Sequence, residues 1–374
     1  KTTRWYGIVR SVQVLLLMVL AMCFAVSDLF AADNYQLLRS SPAGYAPVVP
    51  GKNIQFPRDH LPHSAFKIEW WYLTANLTDD SGGEYGVHWT LFRQSMSPDE
   101  PGDSWSNNQI WMAHAAISTP EGHLYEERFA RGGIGQAGVQ VNPEGAFSGW
   151  LDNWSLVGHS SAPVPGVLTF TVQDKRIELN LNAVTPWVLQ GENGFSQKSE
   201  KGQASYYYSQ PHISVVGSLI DAGSEIKLEG KAWLDREWSS QPLASDQPGW
   251  DWLSVHLDDG QALMVYRLRQ VNGKHWYSGT LVSANGVSES LSAVDMIFKP
   301  IQQASVKVGG SAARNLPLHW QLELPGRGKQ WIIKAPRPDH WLNTTFPYWE
   351  GPVKVIDAES GLSVGDGYLE LTGY

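Results

Sequence analysis

The stretch WLDREWSS, residues Trp233–Ser240, sets two carboxylates two residues apart between tryptophans. On a strand, alternation places Trp233, Asp235 and Glu237 on one face and Leu234, Arg236 and Trp238 on the other. Residues i and i+2 are about 6.5–7 Å apart along the backbone. That separation lets one carboxyl protonate a substrate while its neighbour deprotonates water, and it approaches the spacing of inverting glycosidases. Flanking indoles would exclude water and raise at least one pKa, as a general acid at neutral pH requires. The competing use is structural: Asp235 and Glu237 pairing with Arg236, Arg267 or backbone amides where two domains meet, the commoner fate of a buried carboxylate.

Other residues invite the same question. Glu69 and Asp251 open two aromatic strands, EWWYLTANLTDD and GWDWLSVHLDDG, where an acid can be catalytic or can tie down a loop. His114, in WMAHAAIS, alternates with apolar neighbours and reads as a core histidine or a proton shuttle. Candidate catalytic groups are therefore Asp235, Glu237, Glu69 and His114. Trp70, Tyr72, Trp89, Trp238, Trp252 and Tyr266 are candidate substrate-binding aromatics. The chain has 18 Trp and 14 Tyr, a load that suits filling wide barrels and stacking on ligands such as sugars or polyenes.

Three tempting motifs fail. GLSVG (Gly361–Gly365) fits a nucleophile elbow, but Ser363 leads into a strand-like terminus without histidine. His60, His63 and Asp59 in FPRDHLPHS have ligand chemistry, but Pro62 precludes a helical HExxH arrangement and no third ligand is evident, so no metal is expected. No P-loop or dinucleotide fingerprint is present, and no cofactor is expected.

The elements that must position these residues are strands. Past residue 50 the pattern alternates with period two, broken by Gly, Pro, Asn and Asp. The pattern predicts strands over 67–77, 86–94, 110–118, 166–173, 177–184, 213–219 and 226–237, with a long polar loop at 97–108. EWWYLTANL and GWDWLSVHL echo one another: Trp70 aligns with Trp250, Tyr72 with Trp252 and Leu77 with Leu257, and each return strand ends in Arg-Gln, at Arg93-Gln94 and Arg269-Gln270. The echo predicts two related β domains, residues 53–240 and 241–374, after a lead-in at 33–52. In each hairpin one face is mixed, Trp70, Tyr72, Thr74 and Asn76 in the first and Trp250, Trp252, Ser254 and His256 in the second. Such a face suits a barrel interior that holds a small ligand.

Lys1, Arg4 and Arg10 precede an apolar run, Val12–Val26, and small residues follow near Ala31 and Ala32. This layout predicts a signal segment over residues 1–32 and export to the periplasm or cell envelope. The run is shorter than the ~20 residues a bilayer core needs. Cys23 is the sole cysteine, and lipoprotein processing there is the lesser alternative. The net charge of −9 repels phosphate backbones and argues against nucleic acid as a partner.

With these residues in hand, the chain resembles the AttH-like, carotenoid 1,2-hydratase (hydroxyneurosporene synthase) group of lipocalin-like proteins, known as predicted secreted hydrolases. The matching segments are FPRDHLPHSAFKIEWWYLTANL, WMAHAAIS, GWLDNWSL, GKAWLDREWSSQPLASDQPGWDWLSVHLDDGQALMVYRLR, YWEG and GDGYLELTGY. The resemblance implies a mainly β chain of two tandem lipocalin-like antiparallel β-barrels. It implies hydration of a carotenoid's terminal double bond in some members, and genes beside ABC-transporter parts in others. A hydratase of that type would use an acid for the alkene, aromatic faces for the cation and a base for water. Asp235 or Glu237, with Trp238, Trp252 and Tyr266, would fill those roles. Two functions stand as expectations: a cofactor-independent hydrolase or hydratase acting on a small hydrophobic or carbohydrate ligand between the domains, or a noncatalytic carrier serving an envelope ABC transporter.

Overall fold

The computed structural model describes residues 36–374, apart from 184 and 272. The N-terminal charged and apolar segment, with Cys23 and the expected cleavage positions, lies outside the described residues. The regular structure of the described residues is strand, apart from three short 3-10 turns and one helical turn near the start, α1 (Gln36–Arg39).

The first sheet contains β1 (Ile68–Thr78), β2 (Glu84–Ser95), β3 (Gln109–Thr119), β4 (Gly122–Arg131), β5 (Ala137–Val141), β6 (Phe147–Leu151), β7 (Trp154–Gly158), β8 (Gly166–Val172), β9 (Lys175–Ala183), β10 (Val188–Leu189), β11 (Phe195–Gln197), β12 (Ala204–Asp221) and β13 (Ser224–Gln241). Its order is β4-β3-β2-β1-β13-β12-β9-β8-β7-β6-β5, with β10 and β11 also on β12. The sheet curls until β4 meets β6 and β8, which makes a nearly closed barrel. The second sheet contains β14 (Trp250–Leu257), β15 (Ala262–Leu268), β16 (Trp276–Val282), β17 (Ser288–Ser292), β18 (Ile297–Gly309), β19 (Ala312–Leu324), β20 (Lys329–Lys334), β21 (Trp341–Leu342), β22 (Tyr348–Asp357) and β23 (Ser363–Thr372). Its order is β17-β16-β15-β14-β23-β22-β20-β19-β18, with β21 on β22. Every pairing is antiparallel, and the chain is a two-domain β-barrel protein.

Each barrel is packed with the more apolar faces of its strands. Trp71, Leu73, Ala75 and Leu77 of β1 join Trp89, Leu91, Trp154 and Leu234 in the first core. Leu253, Val255 and Leu257 of β14 join Trp320, Trp331 and Trp349 in the second. Burying each such large side chain contributes on the order of 2–3 kcal/mol.

This filling corrects one expectation. The mixed aromatic-polar faces do not line barrel interiors. Trp70, Tyr72, Trp233 and Tyr207 from the first sheet meet Trp250, Trp252, Tyr266 and Tyr368 from the second in a separate cluster between the domains. Alternation gives a strand two faces, and here the interior took the more apolar one, whose acids Glu69 and Asp251 are matched by arginines. Contacts of β1 with β23 and of β2 with β22 close the two outer faces together.

The strands at 137–158 fall outside the sequence reading because they are short, Gly-containing hairpins. The strand expected at 213–219 begins at Ala204, since register shifts on either side of Tyr206–Gln210 carry it past Pro211.

Candidate active site at the domain junction

Register decides which side chains meet at the junction. Across the first sheet one row runs Ser209, Asp235, Tyr72, Thr90, His114 and Glu127, each directly opposite the next. The row beside it runs Tyr207, Glu237, Trp70, Phe92, Met112 and Phe129. In the second sheet Tyr266, Trp252, Glu370 and Glu350 form the facing row. Tyr72 and Trp252 are the echoed positions, so their partners Asp235 and Glu370 occupy equivalent places in the two domains.

These three rows enclose a cavity of about 370 Å³. This size is typical of a small-molecule site, as is an apolar wall with a few convergent polar groups. His88, Thr90, Phe92 and Gln94 of β2 and Met96 just past its end line it in succession, so it follows about 25 Å of chain. The deep end carries the acids. The outer end is apolar, and its rim residues Met96, Ile110 and Phe129 are exposed.

Asp235 accepts hydrogen bonds from the Tyr207 hydroxyl at 2.6 Å, the Ser209 hydroxyl at 2.5 Å and the Trp233 indole at 2.6 Å. Burial pushes its carboxyl up to about 7 against the pull of these three donors, and the charge of Glu237 adds to the rise. Trp252 donates to the Tyr207 oxygen at 3.2 Å and meets the Tyr72 ring edge-on, centroids 5.2 Å apart.

Glu350 and Glu370 are direct cross-strand neighbours, an arrangement in which two like charges repel. Burial and the charges of Asp235 and Glu237 push Glu370 up to about 8, with a hydrogen bond from Trp250 opposing. Burial and Glu370 hold Glu350 well above the ordinary carboxylate range, although the Tyr72 hydroxyl donates to it at 2.5 Å. His88 Nδ1 lies 3.2 Å from Glu350 Oε2, off the line of a hydrogen bond. Burial, then the neighbouring His114 and His123, keep the His88 imidazole neutral. These shifts run toward the protonated form at both second-domain acids and bring Asp235 up to about 7.

Glu237 is different. Lys198 pairs with it at 2.8 Å and Ser205 donates to the same oxygen. Asp235 and Glu237 both line the cavity, but only Asp235 is left without a cation. His114 also lines it, with Nδ1 2.8 Å from the Tyr348 hydroxyl and Nε2 3.0 Å from Glu127. Trp70, Tyr72, Trp252 and Tyr266 form aromatic wall.

Three expected site residues lie elsewhere. Glu69 is sealed inside the first barrel, where Arg93 and Arg236 both donate to it and His63 adds a backbone bond at 2.9 Å. Burial would raise its pKa, but the two arginines hold it well below the usual range. Trp89 packs in the first core, because alternation turns it away from His88 and Thr90. Trp238 lies on the Arg236 face of β13, stacked on His63 at 4.0 Å. Arg267 is likewise spent on Asp251, at 2.6 Å, so neither arginine neutralises Asp235. His60 is bonded to Tyr208 at 2.6 Å, and His63 to Glu69 at 3.1 Å.

Sequence reasoning missed Tyr207, His88, Lys198, Glu350 and Glu370. One signal was available for Glu370: extending the internal echo to each domain's last strand sets Trp233-x-Asp235 beside Tyr368-x-Glu370.

A crystal structure from Nitrosomonas europaea assigned to AttH is 34% identical, with a TM-score of 0.74 over 88% of this chain and 99% of its own. Kievitone hydratase from Nectria haematococca superposes with a TM-score of 0.63 at 15% identity, over 88% of this chain and 96% of its own. CghA bound to Sch210972 does so at 0.51 and 13%, over 90% and 97%. At these lower identities the likeness is one of fold alone. The curated protein sequences contain no match. The family model described as AttH-like spans residues 47–374, and with barrels, junction and registers as described, the chain belongs to the AttH-like family.

Proposed function

We propose that the junction cavity is the active site of a hydratase-type enzyme acting on an elongated, apolar small molecule by carboxylate general acid–base chemistry. One observation carries the reading: Asp235, Glu350 and Glu370, carboxyls desolvated by burial and with no lysine or arginine partner among the described residues, line one apolar cavity. Environments that drive paired acids apart assign acid and base. Glu370 gives its proton to an alkene carbon, and the π pair becomes the new C–H bond. The cation left on the adjacent carbon faces Trp252 and Tyr72. A water lone pair forms the C–O bond, and the water's proton passes to Asp235. Return of that proton to Glu370 completes the cycle. Lys198 neutralises Glu237, which favours this division of labour over an Asp235–Glu237 glycosidase pair. The fold shared with kievitone hydratase supports the reaction class, and the N-terminal charged head and apolar run support export to the envelope.

The test is incubation of purified protein with acyclic isoprenoid polyenes in ¹⁸O-water, with mass analysis of products. The reading requires addition of labelled water by wild type and its loss in Asp235→Asn and Glu370→Gln. A second reading, a carrier serving an envelope ABC transporter, is favoured by the exposed apolar rim. Polyene that co-purifies unchanged, with no product, would select the carrier.

A further inference from the structure

The junction has a second opening. Beyond the acid-bearing rows, the next inward positions form one buried layer, Thr74, His88, Trp233, Ser254 and Tyr368. Two residues further along the same strands, Asn76, Gly86, Lys231, His256 and Asp366 line a polar cleft of about 470 Å³. A single layer of side chains therefore separates an apolar cavity from a polar one.

That layer is polar at one point. The buried Tyr368 hydroxyl lies beside Ser118, a wall residue of the rear cleft whose hydroxyl is 3.1 Å from His123 Nδ1, and the ring is near enough to Glu350 to feel its charge. Beside that hydroxyl is Gly86, where a Cβ would fall 2.8 Å from the Tyr368 oxygen and 2.5 Å from Pro352 Cγ. On the cavity side, His88 Nδ1 and Glu350 Oε2 are wholly buried and complete no hydrogen bond within the protein. A buried water needs two to four polar partners; His88 Nδ1 and Glu350 Oε2, 3.2 Å apart and each without a hydrogen bond, supply two. Hydration consumes one water per turnover, whereas an apolar substrate filling the front mouth shuts water out of it.

We infer that the junction is a channel with two chemically distinct mouths: apolar substrate enters past Met96, Ile110 and Phe129, and water enters from the rear cleft past Ser118 and Tyr368 to Glu350 and His88. The use of this route rests on the hydratase reading, but its existence does not. The test loads the full-length protein with squalane or n-hexadecane, saturated hydrocarbons that cannot be hydrated, and verifies loading by native mass spectrometry. Stopped-flow infrared spectroscopy then follows exchange of the protonated-carboxyl band after mixing into D₂O. Loaded wild type exchanges about as fast as unloaded protein. Loaded Ser118→Val and Gly86→Ala slow at least about tenfold, the effect of roughly 1.4 kcal/mol on a barrier, while both unloaded variants exchange normally. Ser118→Ala, a smaller change, controls for misfolding and should slow less than Ser118→Val. Exchange abolished by hydrocarbon in wild type, or indifferent to both rear variants, overturns the rear route; failure of both hydrocarbons to load overturns the apolar front mouth. Rear exchange in a protein that hydrates no polyene would sink the catalytic reading alone.

Discussion

Glu69 and Asp251 sit inside the two barrels, each accepting from two arginines, whereas Asp235, Glu350 and Glu370 sit between the barrels, where the ion pairs among the described residues give them no lysine or arginine. Both groups are buried. The first has its charge matched: Asp251 accepts from Arg267 and Arg269 at 2.6 Å and from the Tyr374 hydroxyl at 2.6 Å. The second is met by phenols, an indole, a serine and other acids. Cations hold a buried carboxylate ionised, and their absence makes it hold a proton. The barrels use acids to fix structure, and the junction keeps acids that can give and take protons.

The comparison breaks most sharply under substitution. Asp235→Asn and Glu370→Gln should each lower hydration turnover by about 10²–10⁴-fold, measured as initial rates on a polyene that wild type hydrates, with melting temperature held or raised. Glu69→Gln should do the reverse. It leaves Arg93 and Arg236 uncompensated inside the barrel and should cost about 3–5 kcal/mol in urea unfolding. A stable Glu69→Gln protein without turnover would erase the distinction.

Acid and base need opposite states, so activity should peak between about pH 7, below which Asp235 is protonated, and about pH 8, above which Glu370 is ionised. The cluster titrates together; Asp235→Asn should remove the acidic limb from whatever rate remains. Stability carries the same sign. The folded-state pKa values of Asp235 and Glu370 lie above their unfolded values, so the stabilisation is complete below about pH 4 and is lost as pH rises through 7 to 8, by about 1.4 kcal/mol for each pH step between the unfolded and folded values. Glu69 has the opposite sign, since its pKa is depressed: its contribution is present above the ordinary glutamate range and fades on acidification. Chemical denaturation from pH 4 to 9 should show a decline toward alkaline pH that Glu370→Gln flattens. The smallest effect is expected for Tyr72→Phe, which removes one donor to Glu350 and should change stability by about 0.5–1.5 kcal/mol.

Much of this was legible in the sequence. Period-two alternation revealed β strands, and the Trp70/Trp250 echo revealed a duplicated barrel. WLDREW placed Asp235 on the face opposite Arg236, as the structure has it. What alternation could not supply was the identity of the inside. Trp70 and Trp71 are both aromatic; Leu73, Ala75 and Leu77 mark the Trp71 face as the more apolar, but Glu69 on that same face, paired with Arg93, hides which side is inside. Glu350, Glu370 and His88 become a site only when two outer faces dock, a contact between positions about 260–280 residues apart that no local pattern encodes. Tyr207 was hidden because Pro211 looks like a strand terminator, while the structure carries β12 past it with a shift of register.

The central claim is that protonated carboxyls persist between the barrels at neutral pH. Infrared difference spectroscopy of the full-length protein, titrated from pH 6 to 9, tests it most directly. The account predicts a protonated-carboxyl band at pH 7 that declines as pH rises through about 8, is reduced in Glu370→Gln and Glu350→Gln, and is unchanged in Glu69→Gln. A spectrum at pH 7 with every carboxyl ionised would contradict it.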